Sequence, residues 1–196
     1  MTKLDRRELL QWAGASAAAG ALFSWTTTET QAAAEALQAQ AAASTPYKPR
    51  FFTPHEYATV TMLADIILPK DATSGSASEA GTHEFIDYIT AEQPERQTAM
   101  RGGLAWLDAE CYSRFDKPFL EATDAQRRQV LDDIAFPKNT KPEFRRAARF
   151  FSTFRDLVAA GFFSSKVGMA DIGYIGNRPT VWNGPPAEVL AKLGLR

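Results

Sequence analysis

The sequence predicts an all-α protein with a single compact domain. Apolar residues recur at helical spacing in successive segments, helix-start signals precede several of these segments, and no alternating strand pattern of convincing length is present. The 196 residues are enough for one hydrophobic core, and 45% hydrophobic with 23% charged residues is an ordinary globular composition. We therefore expect five or six helices, followed by a C-terminal arm rich in glycine and aromatic residues.

The first helix is predicted after Thr53, within FFTPHEYATVTMLADIILPK. Thr53 is a good N-cap, Pro54 suits the first helical position, and Glu56 completes a capping box. One apolar face follows, made of Tyr57, Val60, Leu63, Ala64 and Ile67. Pro69 ends the helix, and the small polar residues 70–82 are expected to form a loop.

Three further helical patterns follow this loop. A second helix is predicted over residues 83–92, and a third over residues 94–114. Thr123 and Gln126 form another capping box, which begins a fourth helix that ends before Pro137.

The longest helix is predicted to start at Pro142. Its apolar stripe consists of Phe144, Ala147, Ala148, Phe151, Phe154 and Val158. Gly161 is a natural C-terminal cap, because glycine adopts the left-handed conformation that ends many helices. A last short helix is predicted over residues 186–193.

The first 43 residues have the features of a twin-arginine export signal. Arg6 and Arg7 are followed by two leucines and then by an uncharged run rich in alanine and glycine. This run is too short for a confident membrane span, which needs about 20 strongly apolar residues. We therefore divide the chain into a signal with linker, residues 1–43, and a helical domain, residues 44–196. Candidate cleavage positions are Ala34, Ala41 and Ala43.

Charge and cysteine content exclude several functions. The formal net charge is −1 and no basic stripe stands out, so nucleic-acid binding is not expected. The single cysteine, Cys111, allows no internal disulfide and no cysteine-rich metal or iron–sulfur site, and no CxxCH motif is present for covalent haem. Because Cys111 lies in an apolar helical pattern, we expect a buried and unreactive thiol.

The two histidines give little support for catalysis. His83 and Asp87 stand at i and i+4, a spacing that can hold a metal, but the motif is not HExxH and only His55 remains to help. Acidic residues such as Glu84 and Asp87 also favour the first half of any helix. We therefore assign no catalytic, cofactor-binding or metal residue. An independent periplasmic metal-dependent enzyme or binding module using His83 and Asp87 remains the alternative function.

The segment GFFSSKVGMADIGYIGNRPTVWNGPP is the most unusual part of the domain. Its glycines do not have the spacing of a dinucleotide or phosphate loop, and a long helix rather than a strand precedes it. Four aromatic residues interleaved with glycine and proline suit an arm that inserts rings into another protein. We predict partner contacts for Phe162, Phe163, Tyr174 and Trp182. The open alternative is that these rings pack on the chain's own helices.

Several long stretches carry a family pattern. They are FFTPHEYATVTMLADIILPKDATSGSASEAGTHEFIDYI, GGLAWLD, FFSTFRDLVAAGFFSSKVGMADIGYIGN and VWNGPP. The most specific parts are the ILP turn, the A-G-x3-F-I-D stretch ending at Asp87, and G-Y-x-G-N from Gly173 to Asn177. From about Phe52 to Leu195, the chain resembles the gluconate 2-dehydrogenase subunit 3 family.

This resemblance implies a non-catalytic accessory subunit of a bacterial oxidoreductase complex, located in the periplasm at the outer face of the cytoplasmic membrane. FAD, and in several members an iron–sulfur cluster, resides in the large subunit, a flavoprotein of the glucose–methanol–choline superfamily. A multihaem cytochrome c subunit often takes the electrons onward. The resemblance also implies a chaperone-like role, in which the small subunit takes the folded large subunit to the twin-arginine export machinery. It supplies no catalytic residue, and nothing in the chain selects one sugar or sugar acid.

Overall fold

The computed structural model of the chain describes residue 35, residues 47–176 and residues 184–194. Seven α-helices lie in the main described ranges: α1 (Pro54–Ile67), α2 (Thr82–Glu92), α3 (Pro94–Phe115), α4 (Asp124–Ala135), α5 (Arg145–Ser164), α6 (Lys166–Asp171) and α7 (Ala187–Lys192). A short 3-10 helix, Pro142–Phe144, leads directly into α5. The described residues contain no strand, so the predicted all-α class is confirmed. Arg6, Arg7 and Trp182 lie outside the described residues.

Helix α5 is the centre of the domain, because α1, α2, α3, α4 and α6 all pack against it. Its 20 residues carry aromatic and aliphatic side chains on several faces, which suits a helix surrounded by others. The large buried apolar residues are Phe150, Phe151, Phe154, Leu157, Val158 and Phe162, and Ala147 and Ala148 are buried beside them. Burying a side chain of this size contributes about 1.5–3 kcal/mol, so this helix supplies a large share of the core.

Both predicted capping boxes are present. At α1, the Glu56 amide donates to Thr53 Oγ1 at 3.3 Å, and the Thr53 amide donates to Glu56 Oε2 at 2.8 Å. At α4, Thr123 and Gln126 exchange the same pair of bonds at 3.3 and 2.9 Å. These local bonds satisfy amides that a helix start leaves free, which is why sequence alone located both starts.

The prediction that α5 ends at Gly161 is wrong. The helix continues to Ser164, and Gly161 is a buried position within it. A Cβ atom at Gly161 would lie 2.7 Å from Cδ1 of Phe85 in α2. The glycine therefore permits close contact between α2 and α5, and its role is packing rather than helix termination.

The predicted loop before α2 is tied down by Asp65 of α1. Its carboxylate accepts from the Ser78 amide and the Ser78 hydroxyl, both at 2.7 Å. The loop ends at Gly81, whose φ of 75° is left-handed, and the amides of Glu84 and Phe85 then bond to the Gly81 carbonyl. A side chain at this position would be strained, which gives a physical reason for glycine in the A-G-x3-F-I-D stretch.

Candidate functional site

The C-terminal arm carries most of the exposed large hydrophobic residues in the described part of the chain. We define the arm as residues 172–176 and 184–194. It holds five of the seven exposed large hydrophobic residues: Ile172, Tyr174, Ile175, Val189 and Leu193. Helix α7, within the arm, buries none of its residues. Apolar side chains concentrated on one segment, away from the core, are typical of an interaction surface.

The arm leaves the helical domain through glycine turns. Gly173 and Gly176 have φ values of 67° and 77°, a left-handed conformation that most other residues adopt only with strain. The Tyr174 amide donates to the Met169 carbonyl at 2.9 Å, so the first turn is attached to α6. Beyond it, the rings and aliphatic side chains of Tyr174 and Ile175 are 56% and 67% exposed.

The four aromatic residues predicted to contact a partner occupy different environments. Phe162 is fully buried in the domain's own core, which corrects the prediction for this residue: α5 runs through it and turns its ring inward. Phe163 is half-buried, packs against that core and makes an edge contact with Phe162 at 5.1 Å between ring centroids. Tyr174 is exposed on the arm, and Trp182 lies outside the described residues. Of the four, Tyr174 is the one whose described surroundings suit a partner contact.

The short helix α6 connects the domain to the arm. Ser165 is its N-cap and accepts a hydrogen bond from the Gly168 amide at 3.1 Å. A Cβ atom at Gly168 would lie 2.1 Å from the Phe162 carbonyl oxygen, so only glycine allows α6 to fold back on the end of α5. The serine and glycine pattern of this segment thus sets the direction in which the arm starts.

Asp87 is a structural anchor. Its carboxylate is completely buried and accepts four hydrogen bonds: Tyr47 Oη at 2.7 Å, and the amides of Arg50, Phe51 and Phe52 at 2.6, 3.2 and 2.9 Å. Both carboxylate oxygens accept hydrogen bonds, and these bonds offset the cost of burying the group. Burial, together with the bond to Asp87, raises the pKa of Tyr47 well above its usual range. Asp87, the last residue of the A-G-x3-F-I-D stretch, therefore attaches residues 47–52 to α2.

His83 and Asp87 have separate surroundings in the described structure. The His83 ring packs 5.3 Å from that of Tyr57, and its Nδ1 is buried without a hydrogen-bond partner among the described residues. Burial lowers the pKa of His83, which keeps the ring neutral and suited to packing. Within the parts of the chain that the structure describes, no group of three or more histidine, cysteine or acidic side chains is arranged to hold a metal ion.

A cleft of about 270 Å³ contains a histidine–aspartate pair that the sequence analysis did not detect. His55 Nε2 lies 2.6 Å from Asp108 Oδ2, and Asp108 Oδ1 accepts from the Phe119 amide at 2.9 Å. The two hydroxyls of the cleft are already used, since Thr53 caps α1 and Thr59 donates to the His55 carbonyl. The pair therefore links α1, α3 and the following loop and has no free hydroxyl nucleophile in this cleft. Its partners are 53 residues apart, so no local motif could reveal it.

A second, open groove of about 470 Å³ lies between α1 and the start of α4. Its floor is mainly apolar, and its rim carries the ion pair of Arg128 with Asp124 at 2.8 Å. The polar residues Thr61 and Asp65, which also line the groove, are engaged with the Tyr57 carbonyl and with Ser78, so few polar groups remain to orient a small ligand. Cys111, by contrast, is fully buried, as predicted, and burial raises the pKa of its thiol.

Together these features define a small helical domain that presents an uncovered apolar arm. A family model described as gluconate 2-dehydrogenase subunit 3 matches residues 54–184, more than half of the 196 residues. The chain therefore belongs to the gluconate 2-dehydrogenase subunit 3 family. The matched region runs from α1 to the beginning of the second part of the arm and includes Asp87. Comparisons with curated proteins and with solved structures gave no significant match. Among the described helices, none is long and apolar enough to cross a membrane.

Proposed function

We propose that this chain is a non-catalytic accessory subunit that stabilises the flavoprotein large subunit of a periplasmic sugar, sugar-acid or glycoside dehydrogenase. The partner would belong to the glucose–methanol–choline superfamily and carry FAD, with an iron–sulfur cluster in some complexes. Family membership supports the association with a dehydrogenase complex. The observation that carries the proposal is the arm, whose large apolar residues are exposed in the part of the chain that the structure describes.

The physical basis of stabilisation is burial of that surface. Covering the arm removes apolar area from water on both partners, and each Å² contributes about 25 cal/mol before the entropy of association is subtracted. A subunit that binds only the folded large subunit stabilises it by mass action. A multihaem cytochrome c subunit would complete the complex as the electron acceptor.

We further propose that the complex is exported in folded form, with Arg6 and Arg7 as the signal. A chain without a cofactor motif has no need of its own for a route that carries folded proteins. The need is met if the flavoprotein acquires FAD in the cytoplasm and leaves bound to this subunit at the outer face of the cytoplasmic membrane.

Coexpression of both subunits tests the proposal. We expect the large subunit to co-purify in fixed ratio with this chain, and to require it for solubility and for periplasmic location. Replacing Arg6 and Arg7 together by lysine should leave both subunits in the cytoplasm. The adjacent pair Arg145 and Arg146, both exposed on α5, provides the matched double-lysine control, which should export normally.

Two results would contradict the proposal separately. A large subunit that reached the periplasm with the double-lysine signal would disprove the escort role but leave association intact. A large subunit that failed to co-purify with the wild-type chain would disprove the accessory role itself.

A further inference from the structure

A basic surface lies at the opposite end of α5 from the arm. We call it the basic face and define it as Lys138, Lys141, Arg145, Arg146 and Arg149. All five side chains are exposed, and Glu143 is the one acidic residue between positions 138 and 149. None of the five forms an ion pair with a carboxylate of the described residues. These residues form no basic stripe in the sequence, because they are spread over a loop and a helix.

The placement of the arginines is not explained by helix stability. Arg145 and Arg146 occupy the first turn of α5, which contains no acidic residue. The start of a helix carries partial positive charge, so cations there are unfavourable. An anionic surface outside the chain would offset this repulsion.

Aromatic residues adjoin the basic face. Phe136, at the end of α4, is 48% exposed, and its carbonyl accepts bonds from the Asn139 amide and the Thr140 hydroxyl. These bonds hold the turn that carries Lys138. Phe144 makes an edge-to-face contact with Trp106, and the Lys141 ammonium lies 5.7 Å from the centre of the Phe144 ring. The surface thus combines aromatic rings with five exposed cations that form no ion pair among the described residues.

We propose that the basic face, with Phe136 at its edge, binds the surface of an anionic phospholipid bilayer. Exposed lysine and arginine near an anionic leaflet increase membrane partition by about fivefold each, and aromatic rings favour the headgroup region. The proposed contact is with the bilayer surface, through side chains of the basic face and Phe136.

A lipid surface fits this region better than a protein surface does. The centre of a protein–protein interface is depleted in charged residues apart from arginine, whereas the basic face consists entirely of cations, two of them lysines. The two described clefts involve α1 and its neighbours, and neither includes a residue of the basic face. Cations without ion-pair partners suit a lipid surface, because its phosphate groups are mobile and can approach each cation separately.

The inference does not depend on the proposed function, although the two are compatible. A helix of 20 residues is about 30 Å long, so the basic face and the start of the arm are well separated. One surface can therefore contact a membrane while the other contacts a partner protein.

Vesicle co-sedimentation of the full chain tests the inference. The probes are vesicles of phosphatidylglycerol with phosphatidylcholine in equal parts, and vesicles of phosphatidylcholine alone. We expect strong binding to the first, weak binding to the second, and loss of the difference at high salt. The triple variant R145E/R146E/R149E should bind the anionic vesicles at least about a hundredfold more weakly, because loss of three cations gives three factors of about fivefold and the new carboxylates add repulsion. Phe136→Ser should cause a smaller loss that persists at high salt.

The triple variant should fold well, because glutamate at a helix start is favourable where arginine is not. Circular dichroism and thermal melting check this directly. The matched control is K48E/K166E/K192E, which makes the same change in net charge at exposed positions elsewhere. Both triple variants retain the N-terminal export signal, so any vesicle binding by that segment contributes equally to both.

Equal loss of binding by the control would show a general charge effect and overturn the proposal. Unchanged vesicle binding by the triple variant would also overturn it. If, in addition, the triple variant lost its large subunit in pull-down, the basic face would be a docking surface for an acidic protein.

Discussion

At the scale of single residues, Asp87 shows how a polar side chain in a core can define structure. Its four donors come from residues 47–52, which precede α1, whereas Asp87 itself belongs to α2. The sequence showed the aspartate and its i, i+4 relation to His83. It could not show the donors, which lie 35 to 40 positions away along the chain.

We predict that Asp87→Asn destabilises the domain by about 2–4 kcal/mol. The asparagine NH2 group cannot accept the hydrogen bonds that one carboxylate oxygen accepts in the wild type, so buried donors lose their partner. Urea unfolding of the two chains measures this. Asp132→Asn is the control, since Asp132 is exposed on α4, and a shift within about 0.5 kcal/mol is expected for it. Equal midpoints for the two variants would show that the Asp87 charge has no structural role.

At the scale of helices, sequence predicts features that depend on near neighbours better than features that depend on contacts between helices. Both capping boxes were predicted because their bonds join residues three apart. Gly161 was misread because a helical glycine that allows close packing has the same sequence signature as one that ends a helix. The distinction depends on Phe85, a residue of another helix.

The adjacent glycines of α3 offer a test of this distinction. A Cβ atom at Gly103 would lie 2.0 Å from the Phe150 ring of α5, whereas one at Gly102 would meet nothing within 4 Å. We predict that Gly103→Ala destabilises the domain by about 1–3 kcal/mol through overpacking. Gly102→Ala should instead stabilise it by up to about 1 kcal/mol, because alanine is the better helix former. Thermal unfolding of both variants measures the difference, and a shift of the same sign in both would contradict the packing geometry.

At the scale of the whole molecule, the chain separates into a packed domain and an uncovered arm. Core residues surround α5, while the arm contributes none of the fully buried side chains. The proposed partner contact therefore adds to a domain that already has its own core.

Tyr174 and Tyr112 form a matched pair for testing this division, because they are 56% and 54% exposed, on the arm and on α3. We predict that Tyr174→Ala weakens association with the large subunit by about tenfold or more, as loss of a buried aromatic contact does. The melting temperature of the isolated chain should change little. Tyr112→Ala should leave both quantities unaltered. Association is measured by titration of one purified subunit with the other, and equal weakening by the two variants would remove the arm from the interface.

The sequence by itself determined the helical class, the starts of α1 and α4, the buried state of Cys111 and the family pattern. These features depend on residue periodicity, on bonds between near neighbours, or on whole stretches of sequence. The tertiary structure alone decided that Phe162 belongs to the core, that Asp87 anchors the start of the domain, and that five scattered cations lie exposed around the start of α5. Each of these features depends on which segments, distant along the chain, pack against a given side chain. Only the folded chain determines that packing.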